Sequence, residues 1–431
     1  MALQYVSGVK PEVSPNSQTP TPSRPWRRAI LSFVGGALSI ILLLVVAYFG
    51  IRTFDTSGRL PERQEKAEAE LAARLAADLK QAADENRSDN ERHVRTLYAR
   101  QQRDPNAALD FLLLSGGGDR GAFGTGFLLG WATVASGANA LPKFDGVSGV
   151  STGAFIAPFA FLGTHADYGA IDRLFRNPKP DWVERRGMFF FLPENASLAE
   201  VPGLVRDLRS QVDLKFAERI AQAGSADGHR VLLIQATDID NGIPRAFDAV
   251  AAAREAVATG DTNLLSDILL SSASIPGAFP PLEIQGRLYA DGGIASNFFY
   301  GGPMDESDTF GAIWRREHPS APIPKTRYWV IINEYIQPSP VTVQPTWPAI
   351  VERSFYVGVR SAEAIALRHL YALAELTKLR GDGEVEVRYV AIPQSWKPLN
   401  DQRFDQATMR NLSDVGKRFG ADPNSWMTKA P

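Results

Sequence analysis

Apolar residues are distributed along this chain in three regimes. From Met1 to Pro25 the sequence is polar and rich in Pro, Ser and Thr, with no apolar period, the composition of a disordered segment. Ala29 to Ile51 then runs 23 residues without a charge, dominated by Leu, Ile and Val. That length spans a bilayer. Trp26 and Tyr48 suit the interfaces, and Arg24, Arg27 and Arg28 flank one end. The pattern predicts a transmembrane helix over 29–51. A cleaved signal peptide would have a shorter apolar core and a small-x-small site, which Val46 to Gly50 does not supply. Thr53 to Arg103 is charged and Ala-rich. Leu71, Leu75 and Leu79 recur at every fourth position and predict a helix from about Glu62 to Gln81, read as a solvated spacer.

Beyond Asp104-Pro105-Asn106, which marks a boundary, the period changes. Short apolar runs at Phe111–Leu114, Lys143–Val150, Val231–Ala236, Tyr328–Ile332 and Val385–Ile392 read as strands. Between and after them, Ala122–Ala135, Thr152–Leu162, Ser361–Leu379 and Phe404–Phe419 read as helices. Strands alternating with helices imply an α/β fold with a mainly parallel central sheet covered by helices, its site at the carboxyl ends of the strands. The expected organisation is a disordered cytoplasmic-side tail at 1–28, the transmembrane anchor at 29–51 and a charged helical linker at 52–107. A catalytic domain at 108–422 and a C-terminal tail at 423–431 complete it.

Composition changes this picture little. The formal charge of −2 over 431 residues gives no whole-chain preference for nucleic acid or an anionic surface. The absence of cysteine excludes disulfides and thiol catalysis. No cluster of His, Asp or Glu at ligand spacing calls for a metal.

The chemistry lies in the glycine-rich turns. Ser115-Gly116-Gly117-Gly118-Asp119-Arg120-Gly121 follows the first strand, and Gly149-Val150-Ser151-Thr152-Gly153 joins a strand to a helix. A serine on such a turn is pushed into an exposed, strained conformation, and glycines two positions either side relieve the crowding. The helix behind it aims its N-terminal N–H groups at the same spot. The first turn presents backbone N–H groups to an oxyanion. A serine nucleophile needs a base. His93, His165, His229, His318 and His369 all read as surface or helix-face residues, and none sits in a glycine-rich turn. Asp291 does: Leu288-Tyr289-Ala290-Asp291-Gly292-Gly293 ends a short strand on an acid followed by two glycines. Just upstream lies Ser271 to Pro281, which begins on a small-residue helix end and leaves through prolines.

With these motifs in order, the region from about Leu109 to Asp422 resembles the patatin-like phospholipases, acyl hydrolases that use a Ser–Asp dyad. The Gly-Gly-Gly-x-Arg-Gly motif falls at Gly116–Gly121, the elbow at Gly149–Gly153, the Asp-Gly-Gly motif at Asp291–Gly293, and an Ala-Ser…Phe-Pro-Pro stretch at Ala273–Pro281. The resemblance implies that Asp291 takes the proton of Ser151, which attacks an ester carbonyl. The N–H groups of the Gly116–Gly118 turn, with Gly117 and Gly118 foremost, hold the oxyanion, and water then releases the fatty acid. Arg120 and Gly121 would support the oxyanion loop. No cofactor is required.

The resemblance implies phospholipid or lysophospholipid as substrate. A general carboxylesterase, an acyltransferase and a non-catalytic lipid-binding scaffold remain alternatives. The arginines before the apolar span predict a single-pass membrane protein with its catalytic domain on the non-cytoplasmic, periplasmic side. Met188 to Leu192, an apolar run beside Arg185 and Arg186, reads either as a core strand or as a hydrophobic lip for acyl chains.

Overall fold

The computed structural model describes residues 34, 36–50, 60–187, 195–225, 228–302, 305–400 and 402–431. The run at 188–192 and the tail at 1–28 lie outside them. The chain forms two units, Met1–Glu70 and Leu71–Pro431.

The expected transmembrane helix at 29–51 is corrected by the structure. Among the described residues no helix is long and apolar enough to cross a membrane.

The second unit is built on an eight-stranded sheet. In chain order its strands are β1 (Leu109–Leu114), β2 (Gly146–Val150), β3 (Val231–Asp238), β4 (Ile243–Asp248), β5 (Leu282–Ile284), β6 (Arg287–Asp291), β7 (Thr326–Ile332) and β8 (Val385–Ala391). The spatial order is β8-β7-β1-β2-β3-β6-β5, with β4 also paired to β3. The five strands from β8 to β3 are parallel, with Leu112 of β1 opposite Val147 on one side and Trp329 on the other. β4, β5 and β6 pair antiparallel. The mainly parallel covered sheet expected from the strand–helix alternation is therefore present, with an antiparallel edge. From β1 the chain builds outward through β2 and β3, then returns to the other side of β1 with β7. The crevice between β1 and β7 is the switch point, where loops leaving the two strands diverge and leave room for a site.

Helices α2 (Ala122–Trp131), α3 (Thr152–Leu162), α4 (Asn263–Ser272) and α6 (Gln406–Ala421) cover one face. Phe123, Phe127, Trp131 and Phe161 pack there against Leu232, Ile234 and Trp329. Helices α2 and α6 meet backbone to backbone: a Cβ on Gly126 or Gly130 would strike the Ser413 or Lys417 carbonyl. Across the sheet, α5 (Trp347–Leu379) lays Leu367, Leu370 and Ala374 on Val330, Ile332 and Val387.

Helix α1 (Leu60–Gln101) is twice the length that its leucine period predicts, and its second half is not a solvated spacer. Val94 and Leu97 are fully buried against Leu109, Ile313 and Trp314. Its other anchors are polar: Arg100 on Asp145 at 2.8 Å, Asp89 on His229 at 2.9 Å, and Asp78 on Arg287. Apolar periodicity is blind to a helix held by ion pairs. Residues 423–431 also contribute to the fold, since Trp426 packs into the main core and Met427 pairs with Tyr389. Helix α5 starts fourteen residues before the predicted Ser361. Its first turns carry exposed Trp347, Ile350 and Phe355, so no single buried stripe marks them.

Candidate active site

Ser151 is one of three non-glycine residues with positive φ among those described, at φ 52 and ψ −121. The end of β2 forces this geometry, because the chain must reverse into α3 within one residue. A Cβ on Gly149 would strike the Gly153 carbonyl, and one on Gly153 the Leu114 carbonyl. The strained turn thus requires both glycines, and the positive end of α3 lies at the serine. The Ser151 N–H donates to the Ser272 hydroxyl at 2.9 Å, and that hydroxyl donates to the Gln235 carbonyl at 2.6 Å. The elbow is in this way tied to β3 and to the last turn of α4.

Asp291 ends β6 and is 5% exposed. Its backbone is clamped: the N–H donates to Ser274 O and the carbonyl accepts from Thr237 Oγ1, both at 2.9 Å. Gln235 Nε2 donates to Gly292 O at 2.9 Å and to Ser296 O at 2.7 Å. Oδ1 accepts the Gly293 N–H at 2.7 Å. Oδ2 is buried without a hydrogen bond of ordinary geometry. Burial pushes the Asp291 pKa up to about 6, and the Ser151 hydroxyl and the Gly293 N–H pull it back. Ser151 follows Val150 at the end of β2, and Val150 is in register with Gln235, whose side chain also holds the Asp291–Gly293 turn, so the serine and the acid stand at the same end of the two strands that flank β3. Hydrogen bonds between such groups are commonly long before substrate binds.

The glycine-rich turn closes the third side. The Gly116 N–H donates to Asn297 O at 3.2 Å and is spent there. The Gly117 and Gly118 N–H groups have no acceptor among the described residues. Gly117 lies against Asn333, whose carbonyl a Cβ would strike, and Gly118 adopts φ +60. Gly121 packs on Thr152 and Phe175 with no room for a side chain. Arg120 points away from the turn: it pairs with Glu334, and its guanidinium lies over the Tyr335 and Tyr356 rings at 5.4 and 4.8 Å. It staples the loop to the segment after β7.

Ser151, Asp291, Gly116–Gly118, Arg120, Gly121, Gly149, Gly153, Gly292 and Gly293 are therefore gathered at one end of the sheet. The histidines lie elsewhere. His229 pairs with Asp89, His318 stacks on Tyr98, and His369 Nδ1 meets the Tyr300 hydroxyl. His93 is not a surface residue. It is 3% exposed, and burial first, then His229, lowers its pKa to about 3.

With this geometry in view, residues 112–302 match the family model described as patatin-like phospholipase. The chain carries a patatin-like phospholipase domain. That makes it a lipid hydrolase by class. Two solved structures match at low identity and low structural overlap. VipD from Legionella pneumophila shares 12% identity at a TM-score of 0.33, covering 75% of this chain and 68% of VipD. Human GIVD cytosolic phospholipase A2, in complex with methyl gamma-linolenyl fluorophosphonate, shares 12% at 0.19, covering 65% of this chain and 48% of that one. No curated protein matches the sequence.

Sequence reasoning singled out the stretch holding Ser272 and Ser274 but missed Asn297, Asn333 and Glu363 in the supporting shell of the patatin-like domain. Ser272 and Ser274 hold the elbow and the acid turn. Asn333 brackets the glycine-rich turn, donating its N–H to Ser115 Oγ at 2.9 Å and Nδ2 to Ser115 O at 2.8 Å while accepting the Gly124 N–H at 3.0 Å. Asn297 and Glu363 lie behind it. Asn333-Glu334 does follow an apolar strand directly, the same position that drew attention to the glycines after β1.

Proposed function

We propose that this protein hydrolyses fatty-acyl esters of phospholipids or lysophospholipids through a Ser151–Asp291 dyad. One observation carries the reading. A serine in a strained turn and a buried carboxyl whose pKa is pushed up to about 6 stand at one end of the sheet with two backbone N–H groups that have no acceptor among the described residues. At neutral pH that carboxyl is largely ionised and accepts the serine proton. The serine oxygen then bonds to the ester carbonyl carbon, and the carbonyl oxygen takes the negative charge toward Gly117 and Gly118. Collapse expels the alcohol, which leaves with the proton from Asp291. Water repeats the sequence on the acyl-serine and releases the fatty acid, restoring the serine hydroxyl. The phospholipid class rests on the family description and the acyl chemistry on the geometry.

The test is fatty-acid release from phosphatidylcholine vesicles, lysophosphatidylcholine and a short p-nitrophenyl ester. Release from a lipid supports the reading. Turnover of the short ester alone makes the enzyme a general carboxylesterase. An acyl product formed only when an acceptor alcohol is added makes it an acyltransferase. No acyl product from any of them leaves a lipid-binding scaffold.

A further inference from the structure

Behind the glycine-rich turn lies an acid outside the matched family region. Glu363 sits mid-way along α5 at 0% exposure. Its Oε1 accepts the Asn297 Nδ2–H at 2.9 Å, and its Oε2 is buried with no hydrogen-bond partner of ordinary geometry. Asn297 and Ser115 are the two side chains that favour its ionised form. Those same residues hold both peptide groups of Gly116. Asn297 O accepts the Gly116 N–H at 3.2 Å, and Ser115 Oγ donates to Gly116 O at 2.8 Å. The Asn297 amide oxygen also wedges between Gly116 and Gly293, so it touches the oxyanion turn and the acid turn together.

We infer that Glu363, in its neutral acid form, is a positioning residue that sets the oxyanion turn against the Ser151–Asp291 pair through Asn297. A neutral carboxyl suits this position because Oε1 still accepts from Asn297 while no charge is buried beside Glu334. The charged group that acts on it is Glu334, which disfavours its ionisation and is itself paired with Arg120. Burial first, then Glu334, pushes the Glu363 pKa up to about 8. Ionisation at alkaline pH would set a second negative charge beside Glu334 and loosen the turn. The inference rests on the dyad reading and adds to it a residue that touches neither substrate nor nucleophile.

The experiment compares Glu363→Gln and Glu363→Ala with wild type in the full chain, on a soluble fatty-acyl ester from pH 5 to 10. Glu363→Gln, which mimics the neutral acid, should hold kcat within about threefold at pH 7. It should also lose an alkaline fall in kcat that wild type shows near pH 8. Glu363→Ala should lower kcat by about 10–10²-fold with KM little changed, a part of the 10²–10³ that one oxyanion donor supplies. A wild-type profile flat to pH 10, an alkaline fall persisting in Glu363→Gln, or a folded Glu363→Ala with wild-type kcat would overturn the inference. If Glu363→Ala does not fold, the pH profile of Glu363→Gln decides alone. Ser151→Ala runs alongside. Its inactivity keeps the dyad in place whichever way Glu363 falls, and its activity would remove the dyad itself.

Discussion

Asp291 and Glu363 are both withdrawn from water, at 5% and 0% exposure, and burial is the leading cause that raises each, to about 6 and about 8. Their neighbours make the difference. Asp291 has the Ser151 hydroxyl and the Gly293 N–H, both of which favour its charge. Glu363 has the Glu334 carboxyl acting against its charge, and the Asn297 amide offsets this only in part. At pH 7 one acid is mostly ionised and the other mostly neutral. Burial alone does not make a general base. A buried carboxyl is poised to take a proton when its surroundings let it ionise near neutrality, and becomes a hydrogen-bonding strut when a second charge holds it neutral.

The strongest way to break this comparison is to remove the groups that react. Ser151→Ala and Asp291→Asn should each lower kcat on a fatty-acyl ester by about 10⁴-fold or more, with the double variant little worse, because nucleophile and base act as a unit. Additive losses in the double variant would separate their roles. Gly117→Val comes next. Its side chain would strike the Asn333 carbonyl and push the free N–H groups off the site. The expected loss is about 10²–10³ in kcat, measured on protein shown to be folded by circular dichroism.

The acid limb of the pH profile sharpens the comparison from the other side. A base whose pKa is raised must lose its proton before it acts, so kcat/KM should rise with pH and level off above about 6. Below that midpoint the fall should be about tenfold per pH unit. Asp291 carries this limb, so Glu363→Gln should leave it unmoved. The smallest effect is expected from the histidines. Replacing His93, His165, His229, His318 or His369 singly by Gln should leave kcat within about threefold of wild type wherever the variant folds, because none of them contacts Ser151 or Asp291 among the described residues. A folded histidine variant that has lost its turnover would displace Asp291 as the base.

The two acids also show what could be read from the chain in advance. Asp291 stands in a glycine-rich turn at a strand end, and the steric demands of such turns are local, so a few adjacent residues announce them. The same holds for the turn at Gly116–Gly118 and the elbow at Ser151. Glu363 carries no local mark. It lies inside a long helix, 66 positions after Asn297, and meets it only because α5 crosses behind β7 and β1. Asn333 and Glu334 are illegible for the same reason: their work is a contact made by the fold. The central sheet showed through because buried parallel strands are continuous apolar runs. The second half of α1 did not, because Arg100, Asp89 and Asp78 bind their partners by charge. The apolar run at 29–51 was the converse case. Its composition met the length rule for a membrane span, yet among the described residues no helix is long and apolar enough to cross a membrane.

The most direct test of the central claim is the site of covalent capture by a long-chain fluorophosphonate, which phosphonylates an activated serine. The adduct is read by peptide mass spectrometry after incubation at pH 7.5. The expected result is a single modification on the peptide containing Ser151, absent in Ser151→Ala and strongly slowed in Asp291→Asn. Modification at another serine, or undiminished labelling of Ser151 when Asp291 is replaced, would contradict the dyad.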